Sequence, residues 1–303
     1  MCDLSIIIPS YNTKDITKEC LEKLVNCLKT GNKNAPKPIK VEIIVVDNAS
    51  GDGSIEMLRE ITTALQSNNI SFQVVYNETN TGYSKGNNIG LQKATGTYIL
   101  YLNSDVYVNQ VNFNKLLEYM DSNPKVGALT VRVNLTSGDI DPASHRGFPT
   151  VWRSVTYFAG LEKATRSVPI LSSLFGGYHL TSYNLATKHQ IDAGTGAFLL
   201  TRKSLMDTLK GFDESFFMYG EDLDLCYRIK EAGYVIEYDP QFTVLHLKYK
   251  SGMSSQNEET RKRTRTHFHD AMKLFYRKHY EKIYPSFVNR FIYYMIDLKN
   301  SLS

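Results

Sequence analysis

Several chemistries are excluded by what this 303-residue sequence has little of. It holds only four cysteines, Cys2, Cys20, Cys27 and Cys226. None forms a C-x-x-C pair or a zinc spacing. Cys20 and Cys27 fall on a helical pattern and Cys226 in an apolar helix, so reduced, buried thiols are expected. No apolar stretch is long enough to span a bilayer. The chain runs from Met1 straight into Leu4-Ser5-Ile6-Ile7-Ile8, without a basic segment ahead of a long apolar run. No signal peptide is therefore expected, and the expected compartment is the cytoplasm. The net charge of +4 is mild and does not argue for nucleic acid. There is no internal repeat, no dinucleotide G-x-G-x-x-G, no P-loop and no Ser-His-Asp constellation.

What is present is the composition of an ordinary globular protein, 42% hydrophobic and 22% charged. The first half alternates two periods. Leu4 to Ile8 is a short apolar run ending at Pro9, as a buried parallel strand should be. Ile16, Cys20, Leu24 and Leu28 mark a helix face. Strands are predicted at Val41 to Val46, Phe72 to Tyr76 and Tyr98 to Leu102, with helices along Ile55 to Leu65 and Ser84 to Ala94. This βαβα order predicts a mainly parallel, doubly wound sheet. Such sheets bind ligands beyond the carboxyl ends of their strands. Those ends carry Pro9-Ser10-Tyr11, Asp47-Asn48, Asn77 and Asn103-Ser104-Asp105. From about Asn134 to Gln190 the periodicity weakens. It returns with a strand over Ile191 to Thr201, a helix over Leu223 to Ala232, and two short strands, Val235 to Tyr238 and Thr243 to Leu247.

Four segments carry residue types suited to chemistry. Gly220-Glu221-Asp222-Leu223-Asp224 follows an aromatic run and opens a helix. Acids in a first helical turn are favoured by the helix dipole, and an acid at a pocket mouth can instead take a proton from a hydroxyl. Asn103-Ser104-Asp105 ends a strand. It reads either as a turn or as oxygen ligands for a hard cation bridging to a diphosphate. His246 also ends a strand. It is either a satisfied core histidine or a ligand, and a ligand would favour Mn²⁺ over Mg²⁺. In Asn80 to Gly90 the glycines recur every four residues, for packing against a neighbouring strand or for close approach to a ligand.

Taken together, Ser5-Ile-Ile-Ile-Pro-Ser-Tyr-Asn12, Val45-Val-Asp-Asn-Ala-Ser50, Asn80 to Gly90, Leu102-Asn-Ser-Asp105 and Gly211-Phe-Asp-Glu-Ser-Phe-Phe-Met-Tyr-Gly-Glu-Asp222 occur in the order seen in inverting family 2 glycosyltransferases. The sequence resembles their bacterial rhamnosyltransferase-like branch over about residues 4 to 253, apart from much of 134 to 190. The resemblance implies a GT-A fold, a Rossmann-like α/β domain with a mainly parallel sheet, followed by a C-terminal helical appendix. It implies that Pro9, Tyr11 and Asp47 contact the nucleoside, with Asp47 accepting from the base imide. Asn80, Gly82, Asn88, Asn103 and Ser104 would belong to the donor pocket. Asp105 and His246 would hold Mn²⁺ or Mg²⁺. An aspartate pair is expected at that metal site, and Asn103 here replaces one of its members. Asp222 would be the catalytic base, with Glu221 beside it and Asp192 as the next candidate.

The implied reaction is inverting transfer of a sugar from a nucleotide diphosphate onto an acceptor-glycan hydroxyl, in cell-surface polysaccharide or O-antigen assembly. The donor is expected to be dTDP-rhamnose. A UDP-hexose or galactofuranosyl donor is the alternative, and a nucleotidyltransferase or a non-catalytic glycan-binding protein on the same fold are the other readings. Residues 1–253 would form the catalytic domain, with nucleotide-sugar binding in 1–133 and the acceptor side in 134–253. Residues 254–303 would form a basic amphipathic tail. Arg261 to Lys282 holds eight Lys/Arg against Asp270 and Glu281, and apolar stripes run through Phe268, Met272 and Phe275 and through Phe287, Phe291, Met295 and Leu298. That tail would either pack on the domain or a second subunit, or lie on the inner face of the cell membrane near a polyprenyl-linked acceptor.

Overall fold

The computed structural model describes residues 2–33, 35–248 and 258–302. The first half alternates as predicted: β1 (Leu4–Ser10), α1 (Lys14–Lys33), β2 (Val41–Asp47), α2 (Ser54–Leu65), β3 (Ile70–Tyr76), α3 (Gly82–Lys93) and β4 (Tyr98–Leu102). β1 runs parallel to both β2 and β4, and β2 parallel to β3. The side-chain period of two explains the layers. Leu4, Ile6, Ile8, Ile43 and Val45 enter the core with Leu21, Leu24 and Leu58 of α1 and α2. Ile7, Ile44 and Val46 point to the opposite face, where α3 supplies Leu91.

Next come β5 (Val106–Tyr107), α4 (Phe113–Ser122) and β6 (Val126–Leu135), which the periodicity does not single out. The weakly patterned stretch holds three short helices, α5 (Val151–Phe158), α6 (Leu161–Thr165) and α7 (Pro169–Phe175). β7 (His189–Ile191), β8 (Phe198–Arg202), α8 (Lys203–Leu209), α9 (Glu221–Glu231) and β9 (Val235–His246) complete the sheet, in the order β3-β2-β1-β4-β8-β6-β9-β5 with β7 on β9. β8 runs antiparallel to β4 and β6, while β6 and β9 are parallel.

Two strand predictions change. The run Ile191 to Thr201 is two strands, because residues 192–197 turn around Gly194 and Gly196. A Cβ on Gly196 would lie 2.4 Å from the Tyr83 hydroxyl oxygen, so that turn passes tightly against α3. The pair Val235 to Tyr238 and Thr243 to Leu247 is one strand with a bulge. Its register on β6 jumps from Asp239 to Thr243, around Pro240, which has no amide hydrogen to donate.

The C-terminal helices are α10 (Glu258–His279) and α11 (Ser286–Leu302). α10 buries Phe275, Tyr276 and Tyr280 of the segment it leads into against Leu225 and Ile229. Lys278 and His279 meet the buried Asp224 at 2.6 and 2.8 Å. The 253/254 boundary lies outside the described residues. Among the described residues no helix is long and apolar enough to cross a membrane. All four cysteines are free, with Cys20, Cys27 and Cys226 buried.

The glycine spacing of α3 is used for packing at two of its positions. A Cβ on Gly90 would lie 2.4 Å from Ile7 Cγ2, and one on Gly86 3.0 Å from Asn48 Nδ2. Gly90→Ala should therefore destabilise the domain by about 1–3 kcal/mol through overpacking, despite the better helix propensity of alanine. Urea unfolding measures this, and an unchanged or raised midpoint would mean that α3 does not press on β1.

Candidate active site

The strand order places β1 and β4 side by side while the chain leaves β1 outward through β2 and β3. This is a topological switch point, where the loops beyond the strand ends part to leave a crevice. Ser10 and Asp47 are register partners at the ends of β1 and β2. The loops beyond are tied together: the amide of Asn48 donates to Ser10 O, and that of Asn77 to Asp47 O. Thr13 and Ser104 hydroxyls are 3.4 Å apart, which brings the loop after β4 beside that after β1.

Asp47 is fully buried. Its Oδ1 accepts from the Ser50 amide, and its Oδ2 has no protein partner. A buried, unmatched carboxylate oxygen at a crevice is costly unless a ligand donor meets it. Pro9 lies within β1 and Tyr11 just beyond it, 46% exposed. Asn80 Oδ1 accepts from the Gly82 amide. Gly82 has φ +83°, and a Cβ there would meet Phe217 O at 2.6 Å. Asn88 lies deeper: its amide exchanges hydrogen bonds with the backbone of Phe212 and also reaches Glu214, holding the loop before α9.

Asp105 and His246 do come together. β5 pairs with the end of β9, with Val106 opposite His246. His246 Nε2 lies 3.3 Å from Asp105 Oδ1, and its Nδ1 lies 2.8 Å from Asp141 Oδ2. Burial opposes charge on the imidazole, but hydrogen bonds to Asp105 and Asp141 outweigh it and push the group up to about 9. Burial likewise opposes the Asp141 carboxylate, yet His246 and Lys248 hold it well below the usual range. An imidazole whose far nitrogen is fixed by a carboxylate is the usual arrangement of a metal-ligating histidine. Asn103 Oδ1 is buried without a partner in the adjoining loop. This oxygen and nitrogen donor set fits Mn²⁺ or Mg²⁺. Among the described residues no group of three His, Cys, Asp or Glu side chains could alone hold a metal ion.

Glu221 and Asp222 open α9, behind a Tyr219-Gly220 pair that both have positive φ. Gly220 offers no side-chain cap. Both acids are buried, and they stand in the first turn of α9, where the helix dipole also favours acids. Their surroundings differ. Asp222 Oδ2 accepts from Arg146 Nη2 at 2.7 Å, and Oδ1 from the Leu223 amide at 2.8 Å. Glu221 Oε2 has no partner. Burial, then the Asp222 charge, raises the Glu221 carboxyl far above the usual carboxylate range. Tyr83 joins the two halves of the crevice: its hydroxyl donates to Gly196 O and its amide to Phe217 O. Asp192 is engaged elsewhere, by Arg153 at 2.6 Å and Lys230 at 2.5 Å.

The periodicity did not single out Arg146 or Asp141. Arg146 Nη2 bridges Asp222 and Gly194 O. Asp141 caps the short turn Pro142–Ser144 through the Ala143 amide. The one local signal was this Asp-Pro cap, and nothing local reveals that its second oxygen meets a strand 105 residues away.

Residues 5–185 match the profile described as Glycosyl transferase family 2. The chain belongs to glycosyl transferase family 2. It is 25% identical over 257 residues to the rhamnosyltransferase WbbL of Escherichia coli (strain K12), covering 82% of this chain and 85% of WbbL. It is 24% identical over 212 residues to an N-acetylglucosaminyl-diphospho-decaprenol L-rhamnosyltransferase of Mycobacterium tuberculosis, covering 69% and 67%. The fold is similar to that of Staphylococcus aureus TarS 1-349 in complex with UDP-GlcNAc, with TM-score 0.56 and 19% identity over 90% of this chain and 65% of TarS 1-349. The resemblance drawn from the five motifs therefore holds at the level of family and of the GT-A fold.

The Arg146–Asp222 pair is desolvated, with each side chain about a tenth exposed. Arg146→Met should leave a buried charge uncompensated and cost about 3–5 kcal/mol. Adding Asp222→Asn should recover part of that loss in urea unfolding. If the double variant is no more stable than the single one, the two charges are not held out of water as a pair.

Proposed function

We propose that this family 2 glycosyltransferase moves rhamnose from dTDP-rhamnose, with inversion, to a hydroxyl of a polyprenyl-linked acceptor glycan in cell-surface polysaccharide or O-antigen assembly. One observation carries the reading. Two adjacent buried carboxylates at the start of α9 have different surroundings, Asp222 an ion pair with Arg146 and Glu221 a partnerless Oε2 in a site whose burial raises its carboxyl. Environments that separate two neighbouring acids assign them different roles. The two rhamnosyltransferase relatives span most of the chain, which supports the choice of sugar.

In the reaction the acceptor oxygen bonds to the anomeric carbon from the face opposite the leaving group. The bond from that carbon to the diphosphate oxygen breaks, and the hydroxyl proton passes to Asp222. Both Asp222 oxygens already accept one hydrogen bond, and each keeps a further lone pair. Arg146 holds the carboxylate in place. Glu221, whose carboxyl is raised by burial and by the neighbouring Asp222 charge, is not assigned the base. Asp47 Oδ2 accepts from the base imide, and Pro9 and Tyr11 line the nucleoside. Asp105 and His246, with Asn103 and Ser104 nearby, would hold Mn²⁺ or Mg²⁺, which stabilises charge on the departing diphosphate.

Asp222→Asn should bind donor as the parent does and lose on the order of 10²–10⁴ in kcat. Glu221→Gln should lose less. A near-parental Asp222→Asn together with a dead Glu221→Gln would exchange the two roles. Asp105→Ala should abolish cation-dependent donor affinity, and full activity in excess EDTA would remove the metal site. A thermal-shift screen of dTDP- and UDP-linked sugars with Mn²⁺ tests the donor, since a bound ligand raises the melting temperature by mass action. Stabilisation by a UDP-hexose and none by dTDP-rhamnose would sink the rhamnose reading.

A further inference from the structure

The apolar residues left outside the core are not scattered. One group lies on the helical insert 151–175, where Trp152 is 52% exposed, Ile170 81% and Leu174 55%. The other is a stripe on α11, with Phe287 74% exposed and Phe291, Tyr294 and Leu298 following at helical spacing. The two groups meet: Lys299 of α11 lies 3.7 Å over the ring of Phe158 at the end of α5. Exposed aromatic and aliphatic side chains gathered this way mark an interaction surface.

Its charge selects the occupant. The exposed charges of the insert, among the described residues, are Lys163 and Arg166. Its one acid, Glu162, is buried against His179. On α11 the stripe is flanked by Arg290, and the exposed Asp297 is paired with Lys273. A second copy laid face to face would bring cationic faces together. Apolar side chains interleaved with unmatched cations instead suit the headgroup region of an anionic bilayer. The Trp152 indole is prepared for that environment, because its N–H donates to Leu174 O within the insert.

We infer that the insert 151–175 and α11 form a single face that seats the protein on an anionic membrane surface. This departs from the reading of the tail alone. α10 faces the core, and the insert supplies half of the docking surface. The face also adjoins the site. Arg153 ties the insert to Asp192 from within it, and just ahead of the insert the Phe148 amide also donates to Asp192 while Arg146 holds Asp222. A membrane-seated insert thus brings the acceptor side of the crevice to the bilayer. The inference rests on the proposed lipid-linked acceptor for its purpose, while docking itself is read without turnover.

Trp152 is the single tryptophan of the chain, so its emission reports on the insert directly. The full-length protein should float with vesicles of phosphatidylcholine and phosphatidylglycerol at low salt, with a blue shift of Trp152 emission, and bind pure phosphatidylcholine weakly. Ile170→Asp and Phe287→Asp, both at exposed positions, should each weaken partitioning roughly tenfold or more, and Lys163→Glu with Arg166→Glu should remove the lipid-charge dependence. Thermal unfolding of these variants should match the parent. The inference is overturned if the parent ignores anionic vesicles, or if Ile170→Asp and Phe287→Asp bind them unchanged. It is also overturned if sedimentation finds a dimer that these substitutions dissociate, since a second copy then covers the face. Donor-induced thermal shift is measured alongside: its absence with vesicle binding intact counts against the sugar-transfer reading and leaves this surface standing.

Discussion

The buried ion pair between Arg146 and Asp222 fastens the first turn of α9 to the segment after β6. Arg146 arrives from the segment after β6, Asp222 from the first turn of α9, and the Gly194 carbonyl that shares the guanidinium from the turn before β8. Five residues before Arg146, Asp141 fixes the imidazole of His246. One short stretch, 141–146, therefore touches both the candidate base and the candidate metal ligand. Moving that stretch would disturb both at once, so the two centres hold their relation through a shared rigid support and not through a direct contact. Its own ends are pinned by backbone bonds, Asp141 to Val133 and Arg146 to Ala193. A guanidinium suits this place because its charged Nη2 group donates to a carboxylate and a carbonyl together.

The half of the fold built from local periods was legible in the sequence. The runs at Leu4, Val41 and Tyr98 are apolar apart from Ser5 and Glu42, which hydrogen-bond to each other, as suits strands covered on both faces, and the helix between each pair declares itself by its stripe. The site residues at strand ends followed, because topology alone assigns them to one crevice. What failed to show depends on partners remote in sequence. Residues 134–190 carry weak periodicity because their helices are short and leave apolar side chains exposed: Trp152, Ile170 and Leu174 break the polar-out rule that reading by pattern relies on. The pattern separates Val235 to Tyr238 from Thr243 to Leu247, yet the β6 ladder resumes beyond Pro240. Gly194 and Gly196 looked like strand residues, yet the turn they form presents its carbonyls to Arg146 and Tyr83.

The same contrast divides the candidate residues. Asp47, Asp105, His246, Glu221 and Asp222 end or begin regular elements, and the structure finds each buried or nearly so with an unsatisfied atom or a charged partner. Asn88 sits mid-helix, and its amide closes on Phe212 and Glu214. Its contribution runs through the loop it holds, which leads into Phe216, Phe217 and the start of α9. Gly82 works in the same direction. Its positive φ and its close approach to Phe217 O let α3 begin against that loop. The first parallel block and the loops leading to α9 are thus joined across one seam, with Tyr83 bonded to both Gly196 and Phe217.

That seam bears on how the two substrates reach one another. The proposed donor contacts come from β1, β2 and β4, a parallel block whose strands are covered by α1, α2 and α3. The proposed base comes from the other block, where the insert 151–175 is fastened by Asp192, Arg153 and Lys230. The proposed lipid-linked acceptor would approach from the side on which the insert sits, while a nucleotide sugar, being water-soluble, would enter at the switch point. Separating the entries lets each substrate meet the surface that suits it, and the geometry at the anomeric carbon is then set where the blocks meet. In-line displacement requires the hydroxyl and the diphosphate on opposite faces of that carbon. The proposed cation site draws Asp105 from the loop after β4 and His246 from the end of β9, so the diphosphate would sit at the seam between the blocks, with the proposed base reaching that seam from the first turn of α9.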